Sequence, residues 1–281
     1  GGDLVNDGTF TNNGTLSLYG DARAQDEMTA AFLDDFSYAG QDTQPSYTEF
    51  SDDGSKMFML GITNNRVYEY NLSTEYDVSS AVYDSFYSVA TRETGPLGLA
   101  FNSDGTKMFI SGGAGQDITE FNLGTAWDVS TASHDSEFSI STENNQPRGL
   151  TFSTDGTKMF LVGGTGNEVN EYTLSTAFDV STAAYVTNFS IGSEETSPYG
   201  ITFSDGGSRM YITGLASDAI LKYSLDVPYS LSNVSLLDTF DISDTETSAF
   251  GINIVPDQGV YVTGDSVNGV SQFQLSFNQT L

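Results

Sequence analysis

Short apolar bursts separated by polar turns run along this chain, and one unit of the pattern spans residues 147–191. Within it, residues 149–152 and 158–162 are apolar bursts joined by an Asp-Gly turn, which suits a tight hairpin because these residues tolerate a positive φ. Residues 169–174 then alternate apolar and polar side chains, the two-residue period of a half-buried strand. A fourth burst covers residues 184–191. The pattern therefore predicts four short strands in each unit.

The unit repeats at a fixed step along the sequence. Residues spaced by 51 positions are Met57, Met108, Met159 and Met210, and likewise Pro45, Pro96, Pro147 and Pro198, with Ala249 at the next step. A strand-rich repeat of this length is typical of a β-propeller blade. The fifth unit ends after three strands, and residues 32–38 resemble residues 82–88, the fourth strand of another unit. We therefore predict an all-β, five-bladed β-propeller over residues 29–281, with about 51 residues and four strands per blade, closed by the N-terminal strand.

The N-terminal residues 1–28 follow a different pattern. Residues 6–10 and 12–16 are similar to each other at a step of six. One interpretation is a simple hairpin turning at Asn13-Gly14, and the other is the end of a β-solenoid or an intertwined fibre. Residues 21–31 also fit a short helix capped by its first Asp. We expect a β extension that attaches the propeller to an assembly partner or to copies of itself.

The repeat units resemble a known class of sequences. Residues 149–160 (GLTFSTDGTKMF) and 170–183 (NEYTLSTAFDVSTA) resemble the tandem propeller repeats of marine bacteria and their phages, including virion and tail-fibre-like chains. The resemblance covers residues 32–281 and implies a propeller on a virion or cell surface. The turn at residues 103–107 (SDGTK) also resembles the hairpin of lactonase-type propellers, although no position here matches their catalytic residues.

The charge balance excludes several kinds of partner. The chain has 9 Lys plus Arg against 38 Asp plus Glu, a net charge of −29, so it lacks the cations that nucleic acid or an anionic membrane surface requires. No run of apolar residues is long enough for membrane insertion. The absence of cysteine and the single histidine exclude thiol catalysis and imidazole-based metal sites. Because salt screens self-repulsion, the acidity suits an extracellular or virion-surface location.

Repeated polar and aromatic positions are expected to serve the fold. Lys56, Lys107, Lys158 and Arg209 share one position and follow the acidic turn residues Asp53, Asp104, Asp155 and Asp205. We expect solvated local ion pairs between them, each of little energetic value. Tyr76, Trp127, Phe178 and Tyr229 share another position, and we expect these rings to pack between blades.

The position three residues before each inner strand is acidic in four of the five units. The residues at this position are Asp42, Glu93, Asn144, Glu195 and Glu246. Carboxylates gathered around a narrow axis repel one another unless water or a cation lies between them. One interpretation is a wet acidic rim, and the other is a cation-binding rim formed by Asp42, Glu93, Glu195 and Glu246. We expect no cofactor, with Ca²⁺ at this rim as the alternative.

The second position of each inner strand changes its chemistry from blade to blade. It is occupied by Ser46, Leu97, Arg148, Tyr199 and Phe250. Arg148 beside Tyr199 and Phe250 makes an asymmetric cluster of the kind that anchors a ligand or a partner surface. These five residues are the predicted binding site at one mouth of the channel.

The functional prediction is a non-enzymatic extracellular or virion-associated structural or adhesion module. It would recognise a cell-surface glycan or a protein receptor through one face of the propeller, and no catalytic residue is predicted. A free secreted lectin is one alternative. A propeller glycoside hydrolase is another, which requires two carboxylates in different surroundings, whereas the repeated acids are nearly equivalent.

Overall fold

The computed structural model describes residues 28–277, with side chains described from 31 to 274. The strands are β1 (Met28–Ser37), β2 (Pro45–Phe50), β3 (Lys56–Gly61), β4 (Arg66–Leu72), β5 (Ala81–Ser88), β6 (Pro96–Phe101), β7 (Lys107–Gly112), β8 (Asp117–Leu123), β9 (Ala132–Ser139), β10 (Pro147–Phe152), β11 (Lys158–Gly163), β12 (Glu168–Leu174), β13 (Ala183–Ser190), β14 (Pro198–Ser204), β15 (Arg209–Gly214), β16 (Ala219–Leu225), β17 (Val234–Asp241), β18 (Ala249–Val255), β19 (Gly259–Gly264) and β20 (Gly269–Phe277). Short 3₁₀ helices cover Val78–Ser80, Val129–Thr131, Val180–Thr182 and Asp205–Gly207. In this part of the chain no helix is long and apolar enough to cross a membrane.

The strands form five four-stranded antiparallel sheets. Blades 1 to 4 are β2–β5, β6–β9, β10–β13 and β14–β17, and blade 5 joins β18, β19 and β20 to β1. The inner strands β2, β6, β10, β14 and β18 touch their neighbours in a closed cycle around a central channel. The prediction of an all-β propeller with five blades of four strands is confirmed.

The N-terminal strand β1 closes the ring. It pairs antiparallel with β20 and places Phe36 opposite Val270 and Phe32 opposite Phe273. The predicted helix over residues 21–31 is wrong for residues 28–31, which belong to this strand. The predicted extension over residues 1–28 lies outside the described residues except for Met28, so the hairpin, the fibre and the assembly role stay predictions.

The repeated aromatic side chains pack where blades meet, as predicted. Trp127 stacks on Phe58 of the preceding blade with ring centroids 6.0 Å apart. The indole also lies against Gly105 of its own hairpin turn, where an added Cβ would come within 2.3 Å of it. Gly105 also has a φ of +67°, which a side chain would strain. The turn glycine and the aromatic ring are therefore one packing unit.

The repeated lysines do not pair with the turn acids, and this prediction is wrong. Lys56 pairs with the buried carboxylate of Glu69 on the adjacent strand, and its Nζ donates to the Trp127 carbonyl of blade 2 at 2.9 Å. The other Glu69 oxygen accepts the Val129 N–H of blade 2 at 2.9 Å. Asp53 instead accepts hydrogen bonds within its own turn. The lysine and glutamate thus hold one blade to the next, an arrangement that we call the inter-blade clasp.

Candidate functional site

A tyrosine fills the middle of the central channel. At the third position of the inner strands, four blades have glycine: Gly98, Gly149, Gly200 and Gly251. These glycines let the strands approach, since a Cβ on Gly149 would lie 2.3 Å from the Tyr199 carbonyl oxygen. Blade 1 has Tyr47, whose hydroxyl lies 2.7 Å from the Ile201 carbonyl oxygen and 3.1 Å from that of Ile252. The buried ring therefore reaches across to blades 4 and 5 and divides the channel into an upper mouth, where the inner strands begin, and a lower mouth, where they end.

A small pocket occupies the lower mouth, with a volume of about 190 Å³. The fifth positions of the inner strands line it: Glu49, Ala100, Thr151, Thr202 and Asn253. Around them lie the aromatic side chains Phe50, Phe101, Trp127, Phe152 and Phe178. The lining contains no lysine and no arginine, and within the channel one carboxyl group, that of Glu49, sits among hydroxyl, amide and aromatic groups.

Glu49 is the titratable group at the centre of this pocket. It is half-buried, and the Asn253 amide donates a hydrogen bond to its Oε2. Burial raises the pKa of Glu49 to about 8, although hydrogen bonds from Phe50 and Asn253 oppose part of that shift. No cation in the lining offsets the loss of hydration, so the neutral form is favoured. A carboxyl group that ionises close to neutral pH is suited to general acid–base chemistry.

A second carboxyl group stands at the rim of the same pocket. Asp52 is exposed in the turn that follows β2. Burial raises the pKa of Asp52, and the charges of Asp53 and Asp104 add to the effect. The pocket therefore presents two carboxyl groups in different surroundings, one within the channel and one open to water.

The sequence analysis missed Glu49, although the repeat carried a signal. The fifth inner-strand position holds a glutamate in one blade and Ala, Thr, Thr and Asn in the others. A lone acid at an otherwise neutral position breaks the repeat, as Tyr47 does two residues earlier. Only the strand register shows that both lie on the channel.

Three of the predicted binding residues do meet at the upper mouth. The Arg148 guanidinium carbon lies 3.9 Å from the centre of the Tyr199 ring. Tyr199 and Phe250 make an edge-to-face contact with centroids 4.9 Å apart. Leu97 is half-buried in blade 2. Ser46 is buried, and its hydroxyl donates to the Leu60 carbonyl at 3.2 Å, so it is not presented to the mouth.

The predicted acidic rim is built into the loops. Asp42, Glu93, Glu195 and Glu246 are all buried. Glu195 shows the pattern, with one oxygen accepting the Ser197 N–H at 2.6 Å and the other accepting the Ser217 N–H at 3.0 Å. The carboxylates therefore cap backbone amides instead of forming an open rim. Between residues 28 and 277 no group of three or more acidic or histidine side chains is arranged to hold a metal ion.

Comparisons with known proteins identify the fold. No family model and no curated protein matches the chain. A putative 6-phosphogluconolactonase from Bacteroides uniformis superposes with a TM-score of 0.53 at 15% identity, over 84% of this chain and 69% of that one. A luciferin-regenerating enzyme superposes with a TM-score of 0.53 at 14% identity, over 89% and 96% of the two chains. A protein from Lactobacillus plantarum gives a TM-score of 0.54 at 12% identity, over 84% and 70%.

These neighbours overturn the prediction of a non-enzymatic virion-associated or adhesion module. Two of the three are named for enzymatic activities, and none of the three is named as a virion, tail-fibre or adhesion protein. The prediction that the chain is not an enzyme is corrected by the same finding. At these identities the likeness shows the β-propeller fold, and a fold by itself does not specify a reaction.

Proposed function

We propose that this chain is a propeller hydrolase that opens a small uncharged lactone in the lower-mouth pocket, with Glu49 as its general acid–base. The observation that carries the proposal is the lone channel carboxyl group, whose pKa burial raises to about 8. The lactonase name of one structural neighbour and the enzyme name of another support an enzymatic activity on this fold. They do not specify the substrate.

The pocket offers each group that lactone opening requires. Asn253 donates to Oε2 of Glu49, and a water molecule in the pocket would donate its proton to the same carboxylate. The ionised carboxylate removes a proton from that water as its oxygen bonds to the lactone carbonyl carbon. The ring C–O bond then breaks, and Glu49 returns the proton to the departing alkoxide, giving a hydroxy acid. The hydroxyl groups of Thr151 and Thr202 line the pocket and are available to the carbonyl oxygen.

The charges around the pocket favour an uncharged substrate. The lining has no lysine or arginine, Asp52 stands at the rim, and the chain carries a net charge of −29. Such a field repels anions and offers a phosphate no partner. The Bacteroides protein is named for a phosphorylated lactone, so we expect the substrate here to differ from that name. The aromatic side chains of the pocket suit the apolar face of a small ring.

A glycoside hydrolase is the second candidate, and one observation favours it. Glu49 and Asp52 line the same pocket in different surroundings. Two carboxyl groups with separated pKa values are what glycoside cleavage requires. Its signature would be a dependence on both residues, whereas lactone opening requires Glu49.

Hydrolysis assays with three variants test these proposals. Neutral γ- and δ-lactones and aryl glycosides are offered to the wild type, Glu49→Gln, Asp52→Asn and Glu137→Gln. Glu137 is an exposed glutamate on the outer strand β9 and serves as the matched control. We expect lactone turnover that falls about 100-fold or more in Glu49→Gln and is kept in the other two variants. The rate should rise with pH up to about 8, where Glu49 becomes ionised.

Other outcomes discriminate between the two candidates. Glycoside turnover that is lost in both Glu49→Gln and Asp52→Asn would replace the lactonase with the glycosidase. A wild type that turns over neither class would sink both proposals. If Glu49→Gln hydrolyses the substrate as fast as the wild type does, the active site does not lie at the lower mouth.

A further inference from the structure

Arg148 at the upper mouth is held in a fixed orientation. Its Nη1 donates to the Pro198 carbonyl oxygen at 2.6 Å and lies 3.2 Å from the Ser197 hydroxyl. Its guanidinium plane stacks on Tyr199, which in turn contacts Phe250 edge to face. Partial burial lowers the pKa of Arg148 from its usual value, against smaller opposing effects of Tyr199 and Glu195. The group still carries its charge, because arginine titrates far above neutral pH.

No carboxylate of the described chain pairs with this arginine. Ion pairs within residues 28–277 are formed by Lys56, Arg92, Lys107, His134 and Lys158, among others, and none of these pairs includes Arg148. Glu195 lies on the neighbouring blade, but both of its oxygens already accept backbone N–H groups. Arg148 thus has no carboxylate partner among the described residues of a chain whose net charge is −29. It leaves the anion-binding capacity of the guanidinium unused.

Arg148 is half-buried, and Gly164 lies close to its guanidinium. An added Cβ on Gly164 would lie 2.6 Å from Gln146 Oε1 and 2.8 Å from Arg148 Nη2, so a side chain at this position would displace the guanidinium. The equivalent positions of the other blades have Ile62, Gly113, Leu215 and Asp265. In blade 3, Gly164 leaves the room that the Arg148 guanidinium occupies.

We propose that the upper mouth is a second ligand site, which binds a small organic carboxylate between the Arg148 guanidinium and the Tyr199–Phe250 aromatic pair. Arginine presents parallel N–H donors that match the two oxygens of a carboxylate. The aromatic edges offer an apolar surface to the body of the ligand. At about 0.15 M salt the Debye length is about 8 Å, so exposed acids beyond that distance are screened while direct contact with Arg148 is not.

This site is independent of the proposed hydrolase pocket. The buried Tyr47 ring separates the two mouths, so a ligand at Arg148 does not touch Glu49. The ligand at the upper mouth is anionic, whereas the lower pocket favours an uncharged molecule. The two sites can therefore be tested separately.

Benzoate is the probe, with benzylamine as its cationic counterpart. Broadening of the benzoate proton resonances is titrated at about 0.15 M salt with the wild type, Arg148→Gln, Gly164→Ala and Arg66→Gln. Arg66 is a matched control, because its guanidinium lies 4.0 Å from the Phe86 ring at the outer edge of blade 1. We expect Arg148→Gln to weaken benzoate binding about tenfold or more and Gly164→Ala to weaken it measurably, with Arg66→Gln unchanged. Benzylamine should not bind at this site.

Several results would overturn the proposal. They are a wild type that does not broaden benzoate, equal binding by benzylamine, and equal losses in Arg148→Gln and Arg66→Gln. Gly164→Ala keeps Arg148 intact, so it provides the test even if Arg148→Gln is poorly folded. Glu49→Gln should bind benzoate like the wild type, which separates this result from the outcome of the hydrolase assays.

Discussion

At the scale of single residues, the setting of a glutamate decides its chemistry. Glu69 is buried beside Lys56 and accepts a backbone N–H, so its charge is compensated within the clasp. Glu49 has an amide neighbour and no cation, and burial raises the pKa of its carboxyl group to about 8. The same side chain therefore holds two blades together in one place, and in the other it is the group that we propose to transfer a proton.

The shifted pKa of Glu49 makes stability depend on pH. The folded protein keeps this proton up to about pH 8, whereas an ordinary glutamate releases it near 4.5, so the free energy of unfolding should fall as pH rises between these values. Glu49→Gln removes this contribution. We expect the variant to gain about 2 kcal/mol relative to the wild type between about pH 5 and pH 9, a value reduced for the partial solvent contact of the group.

Urea denaturation at the two pH values measures this effect, with Glu137→Gln as the exposed control. If the free energy of unfolding depends on pH in the same way in the wild type and in Glu49→Gln, Glu49 ionises normally in the folded protein and the prediction is contradicted. This measurement needs no substrate, so it tests the electrostatics of the pocket apart from its proposed reaction.

At the scale of elements, the inter-blade clasp explains the repeated lysines. Lys107 pairs with Glu120 and donates to the Phe178 carbonyl of blade 3 at 2.8 Å, and Glu120 accepts the Val180 N–H at 2.9 Å. Blade 5 uses another donor, the Tyr261 hydroxyl, which donates to the Tyr76 carbonyl of blade 1 at 2.8 Å. Both blades therefore donate a hydrogen bond to the backbone carbonyl at the aromatic position of the next blade, although the donor is a lysine in one and a tyrosine in the other.

Removing the lysine of an inter-blade clasp should lower the stability of the fold. Lys107→Met leaves the Glu120 carboxylate buried without its cation, and we expect the free energy of unfolding to fall by about 3 kcal/mol. The double variant Lys107→Met, Glu120→Leu should lose less, because no uncompensated charge remains. Denaturant unfolding measures both, with the exposed turn variant Asp104→Asn as control. A single variant as stable as the wild type would contradict the clasp.

At the scale of the whole molecule, the closing strand joins the two ends of the chain. The β1–β20 ladder runs from Met28 opposite Phe277 to Ser37 opposite Gly269. Tyr38 follows it and is fully buried, and its hydroxyl lies 3.0 Å from the Thr48 hydroxyl of blade 1. The ring therefore closes through blade 5 onto blade 1, and β1 covers the edge of β20 that would otherwise be open.

Gly269 is the point at which this closure can be blocked. A Cβ there would lie 2.0 Å from the Phe36 carbonyl oxygen, a backbone atom that cannot move aside alone. We expect Gly269→Ala to lower the free energy of unfolding by about 2 kcal/mol or more and to promote aggregation through the exposed β20 edge. Gly40→Ala is the control, since no atom lies within 4 Å of its added Cβ. Scanning calorimetry and light scattering measure both variants, and equal behaviour would contradict closure by β1.

The sequence by itself determined the strands, the blade count and the closing strand, because turn residues and two-residue alternation are local signals that a repeat copies in register. It also predicted that Arg148, Tyr199 and Phe250 lie at one mouth of the channel, because equivalent positions in the repeat occupy equivalent places around the propeller axis. Tertiary structure alone decided that Glu195 and its equivalents are buried caps, that Lys56 reaches Glu69 and blade 2, and that Tyr47 divides the channel above Glu49. These outcomes depend on the water that a side chain loses on burial and on the hydrogen-bond donors that other blades supply. Both are set by contacts between residues that are far apart in the chain.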